Sequence, residues 1–298
     1  MADRSAGACT EVTADLLRGW PLPDPGGDKE AKGRLLVVGG SVRNPGAVVL
    51  AAEAALRAGA GKVQVVTAAE TAVHVATVVP ECLVVGVETA AGELSPAGAG
   101  RVLELADAAD AVLAGPGVGA PSAAVALLEA VVPHLRTALV LDALGTAYVT
   151  AHPDGLAHLE GRVLVTPNVV ELAQVLGEDE PAVARDPVRA ARRAAERTAA
   201  TVLAGTDESY VVEPDGVARR VTAGTPGLAV AGSGDVKAGI VAALMARGAE
   251  PARAAAWGAW AHGRAGEYLA STMGPVGFLA REVSARVPAE LALARPGG

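Results

Sequence analysis

Short, mostly apolar runs recur along this chain, separated by Ala- and Leu-rich stretches of helical period, and that alternation limits the folds open to it more than any other feature. The runs are Leu35–Val38, Val63–Val66, Leu83–Val87, Ala111–Leu113, Leu139–Leu141, Val163–Val165 and Thr201–Leu203. Strands apolar at nearly every position suit a sheet covered on both faces, and strands alternating with helices predict parallel pairing. The expected class is therefore α/β with a mostly parallel central sheet. Only 2% of the residues are aromatic. Its core must be built from Ala, Val and Leu, which brings backbones close together.

The formal net charge of −8 argues against a protein that grips nucleic acid and favours small-molecule partners. Cys9 and Cys82 are the only cysteines, too few for a disulfide framework, so a reducing cytoplasm is expected. Residues 1–18 mix acidic and basic residues and do not resemble a secretory signal. The apolar stretch Val48–Leu56 contains Glu53 and falls well short of the roughly 20 residues that a membrane span needs. Residues 1–33 are expected to form a short helix and a Pro- and Gly-rich linker, with 34–298 as one domain. The acidic segment Gly177–Pro187 is read as a second loop.

Three glycine-rich strand ends are the candidate places for chemistry. The first is Gly39-Gly40-Ser41, followed by Asn44 as a candidate N-cap and Pro45 as a first helical residue. Ligands of open α/β sheets bind beyond such strand ends, although a tight turn explains the same residues. The second, Gly115-Pro116-Gly117-Val118-Gly119, lacks the dinucleotide spacing Gly-x-Gly-x-x-Gly. No Gly-x-x-x-x-Gly-Lys-Ser/Thr occurs anywhere in the chain.

The third is Gly232-Ser233-Gly234-Asp235, after Gly224-Thr-Pro-Gly227. Val236, Ile240, Ala243 and Leu244 then fall at helical spacing, so the glycine turn opens a helix whose free amides and dipole favour phosphate. Asp235, in the first turn, either caps the helix or stands beside a phosphate as a base. The flexible Gly-Ser-Gly favours the base, since a cap needs no such freedom. Asp142, Asn168 and Glu171 at other strand ends are weaker candidates. His262, between Trp257 and alanines, reads as a packed histidine rather than a ligand.

Taken in order, seven segments resemble the ADP- or ATP-dependent NAD(P)H-hydrate dehydratases, which have a ribokinase-like, three-layer α/β/α fold. They are Val37-Val-Gly-Gly-Ser41 with Gly46-Ala47, Ala54–Gly61, Gly115–Gly119, Leu141–Leu144, Leu164–Pro167, Ala231–Asp235 and Ala261–Gly266. The resemblance implies repair of hydrated NADH or NADPH. A nucleotide, ADP or ATP with Mg²⁺, phosphorylates the ring hydroxyl, and phosphate then leaves. It implies Asp235 as the base, Gly232, Ser233 and Gly234 as the phosphoryl cradle, and Ala204, Gly205, Thr206, Asp207 and Glu208 at the nucleotide. Ala47, Gly117, Gly119, Asn168 and Asp235 would meet the hydrated dinucleotide. No resident metal ligand set is implied, whereas self-association and a separate epimerase for the hydrate are. Two readings stand beside it: another small-molecule kinase of this fold, and a paralogue that binds nucleotide without catalysis.

The chain departs from that family's pattern in three places. Asn168 stands where the family has a histidine, Ala204 where it has a lysine, and Leu141-Asp142-Ala143-Leu144 lacks a second carboxylate. A lost lysine–phosphate contact costs about 1.5–3 kcal/mol, or roughly tenfold to a hundredfold in affinity. Lys237, two residues after Asp235, is the candidate substitute cation, its direction open at the level of sequence.

Overall fold

The computed structural model describes residues 9–24, 26–205 and 208–294. The chain begins with β1 (Thr10–Glu11) and α1 (Ala14–Gly19), and then alternates through β2 (Arg34–Val38), α2 (Gly46–Arg57), β3 (Lys62–Ala68), α3 (Ala69–Val78) and β4 (Leu83–Val87). A small hairpin, β5 (Thr89–Ala90) and β6 (Glu93–Leu94), leads to α4 (Ala99–Ala106), β7 (Ala111–Ala114), α5 (Pro121–Val131), β8 (Ala138–Asp142), α6 (Ala147–Ala151) and β9 (Val163–Thr166). Three helices follow, α7 (Val169–Leu176), α8 (Glu180–Arg185) and α9 (Pro187–Thr198), before β10 (Thr201–Gly205), β11 (Ser209–Val212) and β12 (Ala218–Val221). The last elements are α10 (Ser233–Ala246), α11 (Pro251–Thr272) and α12 (Ala280–Leu293).

The main sheet runs β1-β12-β11-β10-β9-β8-β7-β2-β3-β4. From β10 to β4 every pairing is parallel, and the antiparallel strands β11 and β12 extend one edge. All seven apolar runs are strands of this sheet, and successive side chains feed two separate cores. Leu35 and Val37 pack with α2, α10, α11 and α12, whereas Leu36 and Val38 pack with α4, α5, α7 and α9. The result is three layers, α/β/α.

Helix positions follow from local chemistry. In α9, Asp186 accepts from the Arg189 amide, Pro187 takes the first turn, and Ala190, Ala191, Ala194 and Ala195 form the buried stripe. Where small residues meet, helices press together: a Cβ on Gly239 of α10 would overlap the Ala51 carbonyl of α2.

Two local expectations need correction. The helix after the first glycine turn has Pro45 at its N-cap position, and Asn44 does not cap it; the Asn44 amide instead donates to Ser41 Oγ at 3.2 Å. The segment Gly177–Pro187 is not all loop, because Glu180 and Pro181 start the short helix α8. The segment before residue 34 is woven into the main body: β1 pairs with β12, Leu17 is fully buried, and the Trp257 indole donates to the Trp20 carbonyl at 2.9 Å.

Candidate active site

The chain leaves β2 for β3 and β4 on one side, then returns to β7 beside β2 and continues through β8, β9 and β10 on the other. A reversal of strand order opens a crevice at the carboxyl ends of the two adjacent strands. The turns after β2 and β7 meet there. The Gly40 amide donates to the Pro116 carbonyl at 2.7 Å, and a Cβ on Gly117 would lie 2.9 Å from Ala47 Cβ. Gly117, at φ +74°, has the left-handed backbone that a glycine adopts without strain. The structure thus brings Ala47 and Gly117 together, and Gly119 lies beside them. Its amide donates to Glu93 Oε2 at 2.9 Å, a contact from the β5–β6 hairpin that no local sequence pattern encodes.

Further along the same edge lies a cavity of about 920 Å³. Asn168, Gly205, Ser233, Gly234, Lys237 and His262 line one side of it. The opposite wall is the loop 223–230, seated on α11 because two of that helix's residues lack side chains: a Cβ on Gly263 would overlap the Ala223 carbonyl, and one on Gly266 would lie 2.6 Å from Leu228. The Gly224 amide donates to Glu267 Oε1 at 2.9 Å and pins the loop. The Gly224-Thr-Pro-Gly227 motif was visible in the sequence; its role as a wall needed the distant α11 to be seen.

Gly232 sits at the N-cap of α10 with φ +89°, a conformation that side chains avoid. The turn delivers Ser233, Gly234 and Asp235 as the first three helical residues. First-turn amides have no acceptor within their own helix; the Ser233 amide donates to the Val230 carbonyl at 3.1 Å, which leaves the Gly234 and Asp235 amides as candidates to meet an anion. No side chain caps this helix. Asp235 is half-buried, and burial pushes its carboxyl up to about 6. Asp142, at the end of β8, is buried and accepts from Thr166 Oγ1 at 2.6 Å. Burial above all pushes its carboxyl up to about 7, against the pull of the Thr166 bond and with help from nearby Asp235 and Glu171.

Asn168 and Glu171 form a capping box on α7: Asn168 Oδ1 accepts from the Glu171 amide, and Glu171 Oε2 from the Asn168 amide, both at 2.9 Å. Asn168 therefore has a structural duty besides bordering the cavity. His262 is packed, as its apolar surroundings predict, yet it also borders the cavity, with Nε2 3.0 Å from Ser233 Oγ. Burial pushes its imidazole down to about 3, so it is neutral at pH 7.

The remaining nucleotide candidates separate. Gly205 borders the cavity, but Ala204 is buried with Val202 in the core on the other face of the sheet. Glu208 accepts from the Tyr210 hydroxyl at 2.8 Å and faces Arg220 at 3.7 Å. Thr206 and Asp207 lie outside the described residues. Among the described residues no group of three or more His, Cys, Asp or Glu side chains is placed to hold a metal ion, and no helix is long and apolar enough to cross a membrane.

A parallel sheet between two helical layers, with an acid in the first turn after a glycine loop, is the architecture of the ribokinase-like proteins. The solved structures agree. A ribokinase-like superfamily protein of Enterococcus faecalis superposes with a TM-score of 0.83 over 99% of both chains at 21% identity. An ADP/ATP-dependent NAD(P)H-hydrate dehydratase of Bacillus subtilis, crystallised with ATP and Mg²⁺, does so with a TM-score of 0.79 over 97% of this chain and all of its own, at 22% identity. Within that fold, residues 35–289 match the NAD(P)H-hydrate dehydratase family model, and the chain belongs to that family. It is 43% identical to the ADP-dependent (S)-NAD(P)H-hydrate dehydratase of Xanthomonas campestris, over 93% of this chain and 94% of that one. It is 33% identical to the bifunctional NAD(P)H-hydrate repair enzyme of Escherichia coli, where the match covers 91% of this chain and half of that protein.

Proposed function

We propose that this protein dehydrates hydrated NADH and NADPH at the expense of ADP or ATP, with Asp235 as the base. Asp235 takes the proton of the ring hydroxyl, and the freed oxygen attacks the terminal phosphorus of the nucleotide. The bond to the shortened nucleotide breaks; the carbon–oxygen bond of the ring then breaks as phosphate departs, and the neighbouring ring carbon gives up a proton to water, which restores the double bond of the dihydronicotinamide. Amides of the Gly232–Gly234 turn hold the transferred group where negative charge develops.

The observation that carries the reading is the position of Asp235: in the first turn of an uncapped helix, after a glycine turn that borders the cavity, with its carboxyl raised to about 6. A base whose pKa lies near the working pH is both deprotonated and able to accept a proton. The crevice at Ala47 and Gly117 is the proposed seat of the dinucleotide, and the cavity beside Gly205 that of the nucleotide.

Mg²⁺ suits this site only as a companion of the nucleotide. The described residues offer it no cage, and a hard cation that keeps its waters and binds phosphate oxygens needs none. When bound, it would neutralise phosphate charge. A reducing cytoplasm, self-association and a partner epimerase belong to the same proposal.

The test is to mix the protein with hydrated NADH, Mg²⁺ and either nucleotide and to follow dihydronicotinamide absorbance. A nucleotide-dependent rise that Asp235→Asn abolishes supports the reading. Accumulation of a stable phosphate ester would instead make the protein a kinase.

A further inference from the structure

Lys237 borders the cavity from α10. It lies on the first turns of α10, two residues beyond Asp235, and borders the cavity together with Gly205, Ser233 and Gly234. A Cβ built on Gly205 would sit 3.1 Å from Lys237 Nζ, so the ammonium reaches across from α10 to the end of β10, where a glycine leaves space for it.

The surroundings supply it with charge but not with a partner. Asp142 and Glu171 are near enough to favour its charged form, while burial pushes its pKa down. Both carboxylates are engaged elsewhere, Asp142 by Thr166 at 2.6 Å and Glu171 by the Asn168 amide at 2.9 Å. Among the described residues no hydrogen bond or ion pair fixes the ammonium. A half-buried cation in that position faces the cavity, and an anion entering beside the α10 amides meets both.

The end of β10 cannot provide such a charge. Ala204 points into the opposite core and is 1% exposed, and Gly205 has no side chain. We infer that Lys237 binds the phosphates of the nucleotide, the positive charge of this site being carried by α10 rather than by β10. The inference rests on the proposed use of a nucleotide and adds the residue that recognises its phosphates. Charge-assisted bonds to phosphate are the strong ones, so the effect of removal is large.

The experiment compares the parent with Lys237→Met and Lys237→Arg. ADP and ATP are titrated calorimetrically with Mg²⁺ at two salt concentrations, and adenosine is followed by ligand-observed NMR. Lys237→Met is expected to weaken ADP and ATP by about tenfold to a hundredfold, to flatten their salt dependence and to leave adenosine unchanged. Lys237→Arg is expected to retain most of the affinity.

Equal ADP affinity in the parent and in Lys237→Met overturns the inference. So does a loss of adenosine binding as large as that of ADP, which would mark the lysine as merely structural. A parent that binds neither ADP nor ATP defeats the nucleotide reading itself, a separate failure. Should Lys237→Met not fold, Lys237→Gln is judged by the same outcomes.

Discussion

At the scale of single residues, the site sets two titrations against each other. As the proposed base, Asp235 must be ionised to take a proton, so kcat/KM is expected to rise with pH through an inflection near pH 6 and then level off. His262, ordinarily the first suspect for such an inflection, is already neutral there because its pKa is driven to about 3. Replacement of His262 by Gln should therefore leave the inflection in place, whatever it does to the rate; an inflection that vanishes with the imidazole would reassign the base. Stability carries the other titration. Asp142 ordinarily titrates at 3.8 and in the fold at about 7. A carboxyl raised on folding stabilises the protein fully below its unfolded pKa, and that contribution disappears as pH rises through the folded one. The free protein should thus melt at a lower temperature at pH 8 than at pH 5. Asp142→Asn should raise the melting temperature at pH 8 and flatten the profile, and calorimetry across that range checks both.

At the scale of elements, close packing of glycine and alanine is the decisive feature. Gly239 lets α10 lie against the backbone of α2, and α10 carries both Asp235 and Lys237. Gly239→Ala should cost about 1–3 kcal/mol, as overpacked cores do, and urea denaturation measures it; a variant as stable as the parent would mean that the helices separate without penalty. This packing explains what the sequence discloses and what it hides. All seven parallel strands were legible because a sheet covered on both faces favours nearly continuous apolar runs, and even β4, which is only partly buried, keeps that composition. The short strands β11 and β12 were not, since Tyr210, Arg219 and Arg220 interrupt their apolar runs with polar residues. Asp235 was legible through local glycine spacing. The Glu93–Gly119 bond, the wall at 223–230 and the reach of Lys237 to Gly205 join residues far apart in sequence, and no local pattern encodes them.

At the scale of the molecule, the sheet joins the first residues to the site. The Val12 amide donates to the Arg220 carbonyl at 2.8 Å, and β12 leads straight into the loop that walls the cavity. Trp20 lies under two guanidinium groups, those of Arg219 on β12 and Arg253 on α11, with its carbonyl bound by Trp257. Residues 10–24 thus clamp the edge strand against the helix on which the loop rests. Removal of residues 1–24 should uncover the pocket of Leu17 and release that clamp, at a cost of roughly 2–5 kcal/mol if the loss resembles deletion of large buried side chains. Because the loop borders the cavity, truncation should raise the KM for the nucleotide more than that for the hydrated dinucleotide, whose proposed seat at Ala47 and Gly117 lies across the sheet from β12. Denaturation and steady-state kinetics on the same sample separate the two effects. A truncation that lowers stability but leaves both KM values unchanged would show the loop to be held by α11 alone, through Glu267 and the bare backbone of Gly263.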